Sequence, residues 1–376
     1  MSRLRSSASV AAPVVVLVVV ALALAGCGGG GQEEAAAPQA ESAGGVPVKA
    51  AFVYVSPVGD AGWTLAHDKA RLEIDELDYV ETAYTEAVPE GADAERTISQ
   101  YVRQGYNLVF TTSFGYMDPT ITVAASSPDT IFMHCSGFKT APNVGTYFGR
   151  MYQPRYLTGM IAGKMTESNI LGYVAAHPIP EVIRGLNAFA LGARSVNPDV
   201  KVHVVWTQTW YDPAKEREAA ESLLDVGADV IAQHQDTPAP QQAAEKRGNY
   251  SIGYNSDMTE FAPAAHLTAP VWNWAVIYRK VVDEVHNGTW TSYQYWGGLD
   301  DGVVGLAPYS DLVPQDVRDM VEAKKAEIAA GDWDVFTGPI NNAAGEVWVA
   351  DGETMSDGDM LGMTALVEGV VGTIPE

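Results

Sequence analysis

Cysteine is nearly absent from this chain: Cys27 and Cys135 are the only two in 376 residues. Two thiols so far apart, with no Cys-x-x-Cys spacing, exclude a disulfide framework and a structural zinc site. Basic residues are scarce too, 23 Lys and Arg against 47 Asp and Glu, for a formal net charge of −24. A surface this acidic repels nucleic acid and anionic lipid headgroups, so neither is an expected partner, and it suits a protein tolerant of high salt. Catalytic signatures are missing as well. There is no Gly-x-Ser-x-Gly elbow and no Walker-type loop, and the seven histidines show no His-Glu-x-x-His spacing. No catalytic residue, metal or cofactor is expected.

The longest apolar run, Ala11 to Ala25, falls short of the about 20 residues that span a bilayer. Arg3 and Arg5 precede it, and Leu24-Ala25-Gly26-Cys27 ends it. That order reads as a secretory leader over 1–26 with a lipobox. The Cys27 thiol is expected to be diacylated and to become the new N-terminus, since two or three acyl chains anchor stably where one does not. Residues 27–47, rich in Gly, Ala, Glu and Pro, cannot bury a core and read as a flexible tether. The expected location is the extracytoplasmic face of the cell membrane.

From Val48 onward short apolar runs alternate with amphipathic segments. Strands are expected at 48–55, 79–88, 107–113 and 129–137, then at 170–176, 200–209, 228–234 and 250–256, with helices between. Such alternation implies parallel sheets covered on both faces, an α/β fold. About 330 ordered residues are better divided between two cores than gathered in one. Asp212-Pro213 is a strong helix start. A helix over 272–287 and another over 314–330 follow the second series, as suits a chain that crosses back between lobes. Gly297-Gly298, preceded by Tyr293, Tyr295 and Trp296, reads as a last hinge.

Open parallel sheets bind ligands at the carboxyl ends of their strands. Here those ends carry Trp63, Phe114 and Tyr116 in the first series and Gln235, Asp236, Asn255 and Asp257 in the second. Trp63, after Gly62 at a helix start, either stacks on a flat ligand or staples the helix. Asp236 and Asp257 are as readily helix caps as ligand contacts. In Val271–Val276 the two tryptophans Trp272 and Trp274 flank Asn273, and one of them is expected to line the cleft. His67-Asp68 invites a catalytic reading, but adjacent helical residues diverge, so surface or local bonding is expected. His134-Cys135 are consecutive in a strand and face opposite ways. Cys135 reads as a small buried hydrophobe.

Four segments together, Val48–Arg71, Thr207–Ala220, Ile252–Met258 and Gly298–Pro308, resemble the basic membrane protein (BMP) family of ABC-transporter substrate-binding lipoproteins. The resemblance implies a type I periplasmic-binding-protein fold, two Rossmann-like lobes joined by three hinge segments. It places lobe 1 at 48–148 and 268–297, and lobe 2 at 149–267 and 298–376. It also implies a purine nucleoside or purine base as ligand, permease subunits as partners, a monomeric chain and no enzymatic activity. By that resemblance Trp63 stacks on the base and Asp257 stands near a carboxylate that contacts sugar hydroxyls. Trp272, Asn273 and Trp274 depart from the nucleoside binders, and their bulk favours a free base. A signalling receptor of the same fold is the alternative. An extracellular hydrolase is disfavoured by the lack of nucleophile–base spacing.

Overall fold

The structure, a computed structural model, describes residues 45–375. The leader, Cys27 and most of the tether lie outside the described residues. Five strands come first: β1 (Val48–Val53), β2 (Val80–Thr85), β3 (Leu108–Thr111), β4 (Ile131–Cys135) and β5 (Val144–Gly149). Five more follow: β6 (Ile170–Ala175), β7 (Lys201–Trp206), β8 (Val230–His234), β9 (Tyr250–Ile252) and β10 (His266–Thr268). The remainder are β11 (Pro270–Trp272), β12 (Gln294–Gly297), β13 (Val304–Leu306), β14 (Ile340–Asn341), β15 (Val347–Val349) and β16 (Val370–Val371).

These strands build two six-stranded sheets, ordered β12-β5-β4-β3-β1-β2 and β10-β9-β8-β6-β7-β16, parallel throughout. Helices cover both faces, so the central strands are apolar on both sides: every residue of β3, β5 and β8 is buried. The first sheet packs against α1 (Trp63–Asp75), α2 (Ala92–Arg103) and α3 (Met117–Ala125). The second packs against α4 (Tyr152–Met165), α5 (Pro180–Val196), α6 (Pro213–Asp225) and α7 (Ala239–Lys246). Later come α8 (Ala275–His286), which returns to the first sheet, α9 (Gln315–Ala329) and α10 (Asp357–Leu361). Asp212 caps α6 as its sequence implies, its Oδ1 accepting from the amides of Ala214 and Lys215, both at 3.1 Å.

The chain passes between the sheets after β5, after β10 and after β12. The second and third passages are tied by an antiparallel ribbon, β11 with β13. Pro270–Trp272 is that ribbon strand, and the expected helix begins only at Ala275. Tyr295 and Trp296 lie in an edge strand paired with β5, and the third crossing follows it at Gly297-Gly298. His67 and Asp68 are buried, not surface: His67 faces Tyr278 of α8, while Asp68 bonds locally, accepting from Arg71 Nε at 2.6 Å. Cys135 is buried as expected, and burial pushes its thiol up. Among the described residues no helix is long and apolar enough to cross a membrane.

Candidate functional site

The carboxyl ends of the two sheets face each other across a cavity of about 20 Å³. From the first lobe come Val55, Trp63, Thr112, Ser113, Phe114 and Ser136; from the second, Glu181, Trp210, His234, Asp236 and Tyr254. Phe114, Ser136 and Glu181 also border a larger chamber of about 160 Å³, whose far walls include Phe148, Arg184, Trp296 and Leu361. The lobes touch around the smaller cavity. Ser256 Oγ donates to the Ala61 carbonyl at 2.5 Å. A Cβ on Gly62 would lie 2.4 Å from the Asp236 carbonyl oxygen. At the far side, Arg150 grips Asp357 of α10 with both nitrogens, at 2.9 and 2.7 Å.

Trp63 is held from several directions. Its Nε1–H donates to the Thr112 carbonyl at 2.7 Å. Trp272 and Trp274 stack on each other, centroids 4.2 Å apart, and each meets Trp63 at 83°. His67 stacks on Trp274 at 4.7 Å and shares a hydrogen bond with Tyr278 Oη, while burial keeps its imidazole well below its ordinary pKa and hence neutral. The loop before Trp63 is fixed by the Asp60 carboxylate, which accepts from the amides of Gly62, Thr64 and Leu65 and from Ser56 Oγ. Such bracing leaves one aromatic surface presented to the cavity at little entropic cost on binding.

The polar groups of the cavity are acids in poor solvent. Burial pushes the Glu181 carboxyl up to about 7; it lies 3.8 Å from His234 Nε2. His234 is held well below its usual pKa, first by burial and then by the charges of Arg155 and Arg184. Asp236 is raised by burial and by Asp60 and Glu216 nearby. Behind it, burial raises Glu216 to about 7, although Thr237 donates to it through backbone and hydroxyl. Protonated, Glu181 and Asp236 each offer one donor and one acceptor.

A pH dependence follows. The folded pKa of Glu181 and of Glu216 exceeds the ordinary 4.5, so between about pH 4.5 and 7 these two acids hold more protons folded than unfolded, and their contribution to stability falls as pH rises through that window. The buried neutral imidazoles of His67, His134, His234 and His266 act in the opposite sense below their ordinary pKa. The part of Glu181 is isolated by difference: in urea unfolding, Glu181→Gln is expected to gain stability relative to the unaltered protein between pH 5 and pH 8. A difference that stays constant with pH, or moves the other way, contradicts this.

Of the ten side chains singled out in the sequence, Trp63, Phe114 and Asp236 border the cavity. The others do not. Tyr116 is buried inside lobe 1, its hydroxyl donating to the Val88 carbonyl at 2.5 Å. Gln235 turns aside to Thr207 Oγ1. Asn255 is a staple, accepting from Trp272 Nε1 at 2.9 Å and donating to Asp236. Asp257 is exposed and caps the turn at Thr259, and burial is too slight to offset those bonds, so its pKa falls. Trp272, Asn273 and Trp274, with Asn255 and Asp257, border a separate groove beside Lys69 and Glu73 of α1. The ribbon β11–β13 carries Trp272, and the turn into α8 carries Trp274, behind Trp63, so they brace it and neither borders the cavity. Unrecognised in the sequence were Glu181, which follows Ile179-Pro180 with no charge pattern to mark it, and Tyr254. Trp210 and His234 stood at strand ends without a reason to choose them.

Residues 47–331 match the Bmp family, described as ABC transporter substrate-binding protein, PnrA-like. The chain belongs to this family. It is thus an extracytoplasmic substrate-binding component of an ABC system and not an enzyme. A purine-binding protein of Brucella abortus is 46% identical over 331 residues, covering 88% of this chain and 94% of that one. A protein of Haloferax volcanii named as an ABC transporter glucose-binding protein is 43% identical over 332 residues, covering 88% and 82%. An ABC transporter solute-binding protein from Aeropyrum pernix shares the fold, with a TM-score of 0.69 at 19% identity over 84% of this chain and 95% of that one. This substrate-binding protein therefore has the two-lobed periplasmic-binding-protein architecture, with its cavity where the lobes meet.

Proposed function

We propose that this protein captures a free purine base between its lobes and delivers it to the permease of an ABC importer. The observation that carries the reading is the lining of the cavity: Trp63 and Phe114 from one lobe and Trp210 from the other share it. Small-molecule sites are mostly apolar with a few placed polar groups. Two flat faces suit stacking. Glu181, whose carboxyl burial pushes up to about 7, and Asp236, raised by burial, can in their protonated forms each pair donor with acceptor as the edge of a purine does. The name of the 46% identical relative supports the same ligand. We take the lobes to divide as 48–148 with 268–297 and 149–267 with 298–376, to close about the three crossings, and to be tethered through a lipidated Cys27.

A hexose is the second reading, favoured by the name of the 43% identical relative. Thermal unfolding in the presence of adenine, guanine, hypoxanthine, adenosine and glucose separates the two. A base present at 100 times its Kd is expected to add about 2.7 kcal/mol of stability, with adenosine weaker and glucose inert. A response to glucose alone overturns the purine reading.

A further inference from the structure

Arg155 on α4 is completely buried. Its guanidinium lies 3.7 Å over the Tyr254 ring, and one nitrogen, Nη1, donates to the Gln233 carbonyl. Its Nε and Nη2 find no partner in the protein. The Tyr173 hydroxyl and His234 Nδ1, both buried, are likewise unpartnered. These orphaned atoms converge. A Cβ built on Gly185 of α5 would lie 3.5 Å from Tyr173 Oη and 3.6 Å from both Arg155 Nε and His234 Nδ1. The absence of a side chain at position 185 therefore leaves a small space bounded by three polar atoms, directly behind the His234 and Tyr254 wall of the cavity.

We propose that Arg155, Tyr173 and His234 form a buried site for one small monoatomic anion, of chloride size, held beside Gly185. The donor set argues for an anion over water. Arginine nitrogens only donate, and the tyrosine hydroxyl is free to donate. The Tyr254 hydroxyl lies 3.3 Å from His234 Nε2; in the tautomer that accepts from it, the imidazole proton sits on Nδ1, turned toward the same point. A water held there would receive hydrogen bonds from Arg155 and have only the Tyr173 hydroxyl to accept its own hydrogens, whereas buried waters are met by both kinds of group. Charge points the same way. Glu181 offsets the charge of buried Arg184, but Arg155 has no carboxylate partner and is met by the Tyr254 ring and the Gln233 carbonyl. A buried cation without a counter-charge is unfavourable, and an anion supplies one. Because His234 and Tyr254 also wall the cavity, the bound anion would set the position of that wall whatever the ligand is.

Two measurements test this on the whole protein. Crystals grown in sodium bromide are expected to show an anomalous peak at the bromine edge between Arg155, Tyr173 and Gly185. Melting temperature at constant ionic strength is expected to climb as chloride replaces glutamate, by about 3 °C per tenfold once binding saturates. Gly185→Ala, whose methyl takes the anion's place, is expected to abolish that dependence. Density without anomalous signal identifies a water and overturns the proposal, as does an equal melting temperature in chloride and glutamate. Should the alanine variant fail to fold, the bromide diffraction on the unaltered protein decides alone.

Discussion

Gly62→Ala is expected to weaken ligand capture by about 100-fold while leaving each lobe folded. The added methyl would sit 2.4 Å from the Asp236 carbonyl oxygen, 3.0 Å from its carbonyl carbon and 3.1 Å from its Cα. All three are backbone atoms, so no side chain can turn aside, and the lobes must part instead. Parting them withdraws Trp210, Glu181 and Asp236 from a ligand that still rests on Trp63. The ligand then loses roughly half its contacts, and two decades of affinity correspond to about 2.7 kcal/mol. The hinge equilibrium shifts only by the difference in ligand affinity between open and closed forms, so the variant should also fail to contract. Titration calorimetry gives the affinity, and small-angle scattering with and without base gives the contraction. A variant that binds and contracts normally shows that Gly62 is not at the closing contact.

Trp63→Leu is expected to cost between about fivefold and 150-fold in affinity, the 1–3 kcal/mol of one base–aromatic stack. Leucine is chosen because it keeps apolar bulk against Trp272 and Trp274 while removing the flat face. The Thr112 carbonyl also loses its donor, which bears on stability more than on binding. The two roles separate cleanly. Weakened binding with a modest change in melting temperature marks a ligand platform, whereas unchanged binding with a large loss of stability marks a packing residue. Trp210→Leu is the matching change on the opposite wall and tests the same sandwich from lobe 2.

Much of the architecture was legible because it depends on local pattern. Periodicity marked β1, β3, β4, β6 and β8, since strands buried on both faces must be apolar along their length. The Asp212-Pro213 start of α6 was legible because a cap is satisfied by its own next three residues. Trp63 was legible because it follows the first strand of a parallel sheet and a glycine. Trp272 and Trp274 misled for the converse reason. Nothing within Val271–Val276 shows that Pro270–Trp272 pairs with Val304–Leu306 more than thirty residues later, and that pairing turns the tryptophans behind Trp63. His67 was misread because its burial comes from α8, remote in sequence.

By itself, then, the sequence determined the class of fold, the location of strand ends where a ligand can sit and the absence of catalytic and metal-binding signatures, all of which rest on local composition and spacing, while the family was legible as a resemblance carried by four segments. Only the tertiary structure decided which side chains share the cavity. Glu181, Trp210, His234 and Tyr254 come from four separate segments of lobe 2, and no local signal couples them. Their meeting with Trp63 and Phe114, and the burial that raises Glu181 and Asp236, arise from the packing of one lobe against the other.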